Sequence, residues 1–341
     1  MLAFDVMNVV DNTARAFFGV DAMYFAVAAI GLNVQFGYTG LLNFGQVGFM
    51  MCGAYGLGLT ASYFDISMWW GIPLAIGLGI VLGLIMGIPT LRLRADYLAI
   101  VTIAIAEVMR LFARSVRFDR IFGGSDGISA FSKPYRDLNP FDANSDSAYG
   151  AGIVRYSGYR FYTLVVGWSI VAIFGLAVWL LMRSPFGRIL KAIREDEDAV
   201  RSLGKNVFSY KMQALIIGGV IATFSGMLLA LDRGSVQPDN FSRDLTFYIL
   251  TALVLGGVAR VSGSIVGPMI FWGLLAFVDV FLNEAAGSDG KLKVFGVSLI
   301  SNVTQIGQIR LMLVGLGLIL LMVFRPQGVF GDRREMALDG R

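Results

Sequence analysis

Long apolar runs with few charged residues dominate the pattern along this chain. The first of them, Ala22 to Phe64, contains no Asp, Glu, Lys or Arg. A helix needs about 20 residues to cross the hydrocarbon of a bilayer, so this run accommodates two passes, with a break predicted at 37–40. The other charge-poor runs add seven passes, at 66–91, 97–112, 161–182, 212–231, 245–259, 261–278 and 311–324. The pattern therefore predicts an all-α integral membrane protein, a polytopic bundle of about 8–10 transmembrane spans, some of them broken or short.

Composition agrees with membrane lipid as the surroundings of most of the chain. Of the 341 residues, 56% are hydrophobic and 15% are charged. Soluble domains usually contain about 45–50% apolar and about 25% charged residues. These values exclude an ordinary soluble enzyme, a disordered chain and a nucleic-acid-binding domain. The net charge of +4 does not call for nucleic acid, because Lys and Arg concentrated on the cytoplasmic side of a membrane protein give the same total.

The rare residue types exclude several kinds of chemistry. The chain has no histidine and a single cysteine, Cys52, so catalytic triads with histidine and His- or Cys-ligated metal sites are not expected. No phosphate-binding P-loop is present, because Gly204-Lys205 is followed by Asn206 instead of Ser or Thr. We therefore expect no catalytic residues, no metal and no cofactor, and no ATP hydrolysis by this chain itself; if it belongs to an ATP-driven pump, partner subunits bind the ATP.

The distribution of basic residues predicts an orientation. With the C-terminus in the cytoplasm, Lys and Arg are more than twice as dense in the cytoplasmic segments as in the opposite ones. Residues 1–21 are then an extracytoplasmic or interfacial segment, and 22–330 form one transmembrane domain. This domain has an external loop at 113–159 and a cytoplasmic loop at 183–211. Residues 331–341 form a cytoplasmic tail.

The loop at 183–211 is the most informative charged stretch. Ser184-Pro185 is typical of a helix start, with a hydroxyl as N-cap. The apolar residues Ile189, Ile193, Val200 and Leu203 fall near one face, and the acidic residues between them indicate a turn between two short helices. Gly204 would end the second helix. By pattern alone the loop is either a solvated connection or a docking element for a soluble partner.

The residues of this loop resemble a known family. Residues 184–211, SPFGRILKAIREDEDAVRSLGKNVFSYK, are similar to the cytoplasmic loop of ABC-transporter permeases of the branched-chain amino acid (LivM-like) family. Within it, Asp198-Ala199-Val200-x3-Gly204 resembles the EAA-x3-G signature that docks on the ATPase. The resemblance assigns ATPase coupling to Pro185, Gly187, Arg188, Ile193, Arg194, Asp198, Ala199, Val200, Leu203 and Gly204.

Four further stretches resemble the same family in the same order. They are GLNVQFGYTGLLNFGQVGFMMCGAYG, YLAIVTIAIAEVMRLF followed by GGSDGIS, LGGVARVSGSIVGP and RPQGVFG. The resemblance implies a permease that forms half of a translocation pathway in a bacterial inner or plasma membrane. It also implies three kinds of partner: a second, LivH-like permease, cytoplasmic ABC ATPase subunits and an extracytoplasmic substrate-binding protein.

Two groups of polar residues within the spans are candidates for the substrate pathway. The first surrounds the predicted helix break, where free backbone groups are tolerated only against protein or a polar cavity: Asn33, Tyr38, Thr39, Gly40, Asn43 and Gln46. These side chains either contact the carboxylate of an amino acid or only join helices. The second is Glu107, which shares a helix face with Arg110 and Arg114 and is either half of a structural ion pair or part of the pathway.

One external segment has a candidate partner. Residues Gly123, Gly124, Ser125, Asp126 and Gly127 are typical of a turn. The resemblance places this turn on the side that receives the binding protein.

Three functions compete at this stage. The leading one is a permease subunit of an ATP-driven importer for branched-chain or related neutral amino acids. Within the same family, urea or a short amide is an alternative substrate. A stand-alone secondary transporter would require inverted halves with matched broken helices, and a structural subunit of a larger enzyme would not need a docking loop at 183–211.

Overall fold

The fold is helical in nearly every segment of the computed structural model. The structure describes residues 6–64, 66–91, 95–141, 148–150, 155–286, 292–294, 297–300, 303–325 and 327–331. The predicted tail at 331–341 lies outside these ranges except for its first residue. The helices are α1 (Val6–Phe17), α2 (Val20–Leu32), α3 (Gln46–Ser62), α4 (Gly71–Thr90), α5 (Ala95–Arg114), α6 (Asp119–Phe122), α7 (Lys133–Asp137), α8 (Gly158–Arg183), α9 (Pro185–Glu195), α10 (Glu197–Ser202), α11 (Val207–Arg233), α12 (Arg243–Gly256), α13 (Val261–Ala286) and α14 (Val303–Phe324).

Short elements complete the structure between the helices. A π-helical turn continues α2 over Asn33–Gly37, and 3₁₀ turns lie at Met68–Trp70, Val116–Phe118 and Pro238–Phe241. Three antiparallel pairs join six short strands. The first pair is β1 (Ile128–Ser129) with β4 (Ser235–Val236), the second is β2 (Ala148–Tyr149) with β3 (Tyr156–Ser157), and the third is β5 (Leu292–Val294) with β6 (Val297–Ile300).

Each predicted pass coincides with a helix, and the all-helical polytopic fold is confirmed. In the part of the chain that the structure describes, five helical stretches are long and apolar enough to cross a membrane by themselves. They are Met7–Gly37, Met68–Thr90, Gly158–Arg183, Val207–Arg233 and Val261–Glu284. The predicted pass at 245–259 corresponds to the short helix α12, which has 14 residues.

Close backbone contact between helices builds the centre of the bundle. Nearly every residue of α2 is buried, and α2, α3 and α11 pack against one another. A Cβ added to Gly226 of α11 would lie 1.8 Å from the carbonyl oxygen of Met50 in α3. A Cβ on Gly53 of α3 would lie 1.9 Å from the carbonyl oxygen of Thr223. Without a hydrophobic driving force in lipid, such small residues permit the van der Waals packing that holds helices together.

The predicted helix break is present but extends further along the chain. The chain leaves the helix at Gly40, whose φ of +74° is in the left-handed region, and it becomes helical again only at Gln46. The predicted interval ended at residue 40, whereas the non-helical segment continues over 40–45. A glycine fits here because L-residues with a side chain rarely adopt this conformation.

The loop at 183–211 contains the two predicted helices, α9 and α10, which meet at Asp196. Gly204 follows the second helix with a φ of +73°, as expected for a left-handed helix end. Ser184 occupies the predicted N-cap position of α9, but its hydroxyl donates to the carbonyl of Leu181 at 2.6 Å and makes no capping hydrogen bond. The side chain of Asp196 instead caps α10 by accepting from the N–H of Ala199 at 2.9 Å.

Candidate functional site

Segments that are far apart in the sequence meet at the end of the bundle that carries α9 and α10. The side chain of Asn33, in the π-helical turn, accepts from the N–H of Ala259 at 2.9 Å and donates to the carbonyl of Arg260 at 3.0 Å. One amide thus satisfies both a donor and an acceptor of the turn between α12 and α13. The helix break and the glycine-rich turn are therefore held as one unit.

The charged loop is attached to the same unit through Arg194 of α9. Its Nη1 donates to the carbonyl oxygen of Gly37 at 2.6 Å, which is a free acceptor because the helix ends there. The ammonium of Lys191 lies 5.6 Å from the centre of the Tyr38 ring, within cation–π range. The family resemblance assigns Arg194 to ATPase coupling. The structure shows that it holds the helix break.

The last described residues close this end of the bundle. The backbone N–H groups of Val329 and Phe330 donate to the carbonyls of Leu255 and Gly256 at 3.0 and 2.9 Å. These carbonyls end α12 and would otherwise lack partners. Residues 327–331 thus pack against the LGGVARVSG turn. We call the assembly of α9, α10, the helix break, this turn and 327–331 the loop end of the bundle.

The amides near the break join helices within this chain. Asn43 donates to the Oε1 atoms of Gln35 and Gln46 at 2.8 and 3.2 Å. Gln35 donates to Leu215 O at 2.9 Å, and Thr39 donates to Val34 O at 2.8 Å. Asn33, Gln35, Thr39, Asn43 and Gln46 are all buried. Of the two interpretations left open, the observed contacts are those of helix-joining amides.

A polar cavity of about 300 Å³ lies between the break and the charged loop. Residues of the break, of α9 and of α11 line it, among them Thr39, Gly40, Arg194 and Lys211. The ammonium of Lys211 pairs with Glu197 of α10, which links the loop to the start of α11. The charged groups of Lys211 and Glu197 therefore line a cavity that lies directly beside the helix break.

The apolar residues of the loop divide into an internal and an exposed group. Ile193, Val200 and Val207 are buried together, so they hold α9, α10 and α11 in place. Leu203, in contrast, is 80% exposed. The sequence places Val200 and Leu203 near the same apolar face, but of these two only Leu203 presents its side chain to the outside.

The other predicted coupling residues of α9 and α10 differ in exposure. Gly187 is buried, and a Cβ there would lie 2.4 Å from the Cα of Met182. Arg188, Asp198 and Ala199 are exposed. Arg201, on the same short helix, pairs with Glu197 and Asp198 at 3.0 Å each. Pro185 occupies the first turn of α9, where its missing N–H is no loss.

The opposite end of the bundle carries a second charged group, the α5 ion cluster of Glu107, Arg110, Arg114 and Asp239. Arg110 pairs with Glu107 at 2.6 Å and with Asp239 at 2.7 Å. Arg114, on the same helix face as Glu107, pairs with Asp239 at 3.3 Å. The predicted ion pair of Glu107 and Arg110 is confirmed. Asp239, which follows α11 in a 3₁₀ turn, was missed because nothing local marks it as a partner of α5.

The glycine turn at 123–127 has the predicted backbone. Gly123, Gly124 and Gly127 have φ values of +74°, +54° and +72°, and the N–H of Gly127 donates to Gly123 O at 2.8 Å. Ser125 and Asp126 are exposed at its tip. Strand β1, which follows the turn, pairs with β4 just after α11. The turn therefore lies at the end of α11 that is remote from the loop end of the bundle.

Comparison with known proteins identifies the family. Residues 15–322 match the family described as "Branched-chain amino acid transport system / permease component". This chain belongs to that family. Its members are transport components and not enzymes, and this chain is accordingly a multi-pass membrane permease of the ABC-transporter type.

Individual relatives agree with the family. The chain is 30% identical over 314 residues to the high-affinity branched-chain amino acid transport system permease protein LivM of Salmonella typhimurium, covering 90% of this chain and 68% of the relative. It is 27% identical over 289 residues to a probable LivM of Methanocaldococcus jannaschii, covering 75% and 78%. It is 25% identical over 270 residues to a probable LivH of that organism, covering 76% and 78%. Similarity to LivM and LivH agrees with an ABC-transporter permease that works together with other subunits.

Proposed function

We propose that this chain is the permease subunit of an ATP-driven importer for branched-chain or related neutral amino acids. In this proposal it forms half of the translocation pathway, beside a second, LivH-like permease. Separate ATPase subunits bind the loop at 183–211 from the cytoplasm, where the C-terminus also lies. An extracytoplasmic binding protein delivers the substrate to the end that carries Gly123–Gly127. The substrate class rests on the family and on the names of the relatives.

The observation that carries the mechanism is the hydrogen bond from Arg194 to Gly37 O at 2.6 Å. Helix α9 follows directly from the span α8, and α10 is joined to α11 by the Lys211–Glu197 pair. A movement of α9 and α10 is therefore transmitted to α8, to α11 and to the broken helix. The break is the point at which α2 and α3 can change their relative direction, because no continuous helical hydrogen bonds cross it.

The charged side chains of α5 are evidence for a substrate pathway through the outer half of the bundle. The side chains of Glu107 and Arg110 are 29% and 15% exposed although they lie in a predicted span. Charged groups at membrane depth face a bundle interior or a water-filled passage, because lipid contact is costly. The exposed part of this pair fits a passage shared with the second permease.

Substitution of Arg194 tests this function. In vesicles that contain the complete transporter, we expect Arg194→Ala to lower amino-acid uptake by about tenfold, because a hydrogen bond from a charged group contributes about 1.5–3 kcal/mol. ATP hydrolysis should continue, so that less substrate moves for each ATP consumed. The measurements are uptake of radiolabelled amino acid and release of phosphate from the same vesicles.

The matched control is Glu195→Ala, on the same helix, at an exposed position with no assigned role. It should leave both rates unchanged. Normal uptake per ATP in Arg194→Ala would contradict the proposed coupling route. Absence of any ATP-dependent uptake by the unmodified transporter would contradict the function itself.

A further inference from the structure

A polar cavity of about 490 Å³ lies at the end of the bundle opposite the loop end, where α1, α2, α8 and α11 meet. Arg160, in the first turn of α8, and Asp232, in the last turn of α11, are among its lining residues. The two helices have 26 and 27 residues, so that each is about 40 Å long at 1.5 Å per residue. Because the hydrocarbon of a bilayer is about 30 Å thick, a cavity at the far ends of these helices lies at the level of the lipid headgroups.

Three guanidinium groups and two carboxylates line this cavity. The guanidinium groups belong to Arg15, Arg155 and Arg160, and the carboxylates belong to Asp21 and Asp232. Among the described residues, none of these five side chains forms an ion pair, although both signs of charge border the same space. A single ligand that carries an anionic and a cationic group can contact both sets, and guanidinium groups are well suited to phosphate.

The elements that carry these charges are joined to one another. The hydroxyl of Tyr156 in β3 donates to the carbonyl oxygen of Arg15 at 2.7 Å, which attaches the segment before α8 to the end of α1. The hydroxyl of Tyr24 donates to Asp21 at 2.8 Å and thereby orients this carboxylate. The cavity is therefore formed before any ligand binds, which lowers the entropic cost of binding.

An exposed apolar seam between α1 and α8 lies beside the cavity, closer to the middle of the membrane. Trp168, eight residues after Arg160 in α8, donates through its indole N–H to the carbonyl oxygen of Phe18 at 3.1 Å. Phe18 is 48% exposed, and Val165, one turn from Trp168 toward the cavity, is 46% exposed. A charged space next to an exposed apolar seam suits a phospholipid, whose headgroup and acyl chains have this same division. A free amino acid would use the cavity but not the seam outside it.

We propose that this cavity binds the headgroup of a phospholipid that carries a phosphodiester and a primary ammonium, as phosphatidylethanolamine does. The phosphate accepts hydrogen bonds from the guanidinium groups, the ammonium donates to the carboxylates, and the acyl chains lie along the seam at Phe18 and Trp168. The bound lipid joins α1 to α8 and α11 and stabilises this end of the bundle. The site is separate from the pathway proposed beside α5, and it does not depend on which substrate is transported.

Stabilisation by added lipid tests the site. The thermal midpoint of the complete transporter in detergent is measured during titration with dioleoyl phosphatidylethanolamine, phosphatidylglycerol or phosphatidylcholine. We expect phosphatidylethanolamine to raise the midpoint with a half-saturating concentration about tenfold lower than the other two, which is the contribution of a hydrogen bond between charged groups. Phosphatidylglycerol has no ammonium, and the choline group has no N–H to donate. Equal half-saturating concentrations for the three lipids would overturn the proposal.

Two kinds of substitution separate the two ends of the headgroup. Arg160→Gln and Arg155→Gln should each raise the half-saturating concentrations of phosphatidylethanolamine and phosphatidylglycerol by about tenfold, since both lipids carry the phosphate. Asp232→Asn should raise the value for phosphatidylethanolamine alone, so that the two lipids become equal. Arg155 is exposed, so its variant still provides the test if Arg160→Gln fails to assemble. Unchanged titrations in the assembled arginine variants overturn the site.

The matched control is Arg117→Gln, in the 3₁₀ turn after α5, at an exposed position that does not line the cavity. It removes the same charge and should leave all three titrations unchanged. Free phosphoethanolamine and leucine are added in place of lipid, at the same concentrations, and neither should raise the midpoint. Stabilisation by either one, lost in Arg160→Gln, would identify a soluble zwitterion as the ligand and overturn the assignment to lipid.

Discussion

The backbone contact between α3 and α11 can be tested with a pair of glycine substitutions. A Cβ on Gly226 would lie 1.8 Å from the carbonyl oxygen of Met50, whereas Cβ contacts under 3.0 Å essentially do not occur. The obstructing atoms are backbone atoms, which cannot rotate away as a side chain does. Gly226→Ala therefore requires the two helices to separate by more than an ångström, against the tight packing on both sides.

The expected cost follows from this geometry. Overpacking a filled core usually costs about 1–3 kcal/mol, and rigid backbone neighbours place Gly226→Ala at the upper end of this range. The control is Gly77→Ala in α4, where an added Cβ meets nothing within 4 Å. Both changes bring the same gain in helix propensity, about 1 kcal/mol, so that the difference between them isolates packing.

The assay is thermal inactivation of the purified protein in detergent, followed by size-exclusion chromatography. We expect the midpoint of Gly226→Ala to be lower by several degrees and that of Gly77→Ala to be equal or higher. Equal midpoints for the two variants would refute the reasoning, since the contact between α3 and α11 would then not be tight in the folded protein.

Two further predictions concern the loop and the orientation. Gly204→Val should lower uptake by about tenfold, because a left-handed residue with a side chain costs about 1–2 kcal/mol, whereas Gly204→Asn should keep most uptake; no Cβ clash complicates this comparison, since nothing lies within 4 Å. Equal uptake in both would show that the backbone conformation at this position is unimportant. In a Cys52→Ala background, cysteines at the exposed positions Ser125 and Ser202 should react with an impermeant thiol reagent from opposite sides of the membrane. Reaction of both from one side would contradict the assigned topology.

Features that depend on neighbouring residues could be predicted from the sequence. The apolar runs predicted the membrane-spanning helices, because the length needed to span the hydrocarbon is a property of each segment alone. The two short helices of the charged loop and the left-handed Gly204 followed from local turn chemistry. The ion pair of Glu107 and Arg110 followed from helical spacing, because residues three apart lie on one face.

Features that join distant segments were decided by tertiary packing. The partner of Arg110 outside its own helix, Asp239, is 129 residues away, and the carbonyl that Arg194 binds is 157 residues away. Val200 faces the inside of the loop because it packs with Ile193 and Val207, although its position on the helix also fits an external face. An apolar cavity at Tyr55 is lined by four helices, α3, α4, α5 and α6. Hydrophobic periodicity determines which face of a helix is apolar, but only the assembled bundle determines which element covers that face and where a space remains.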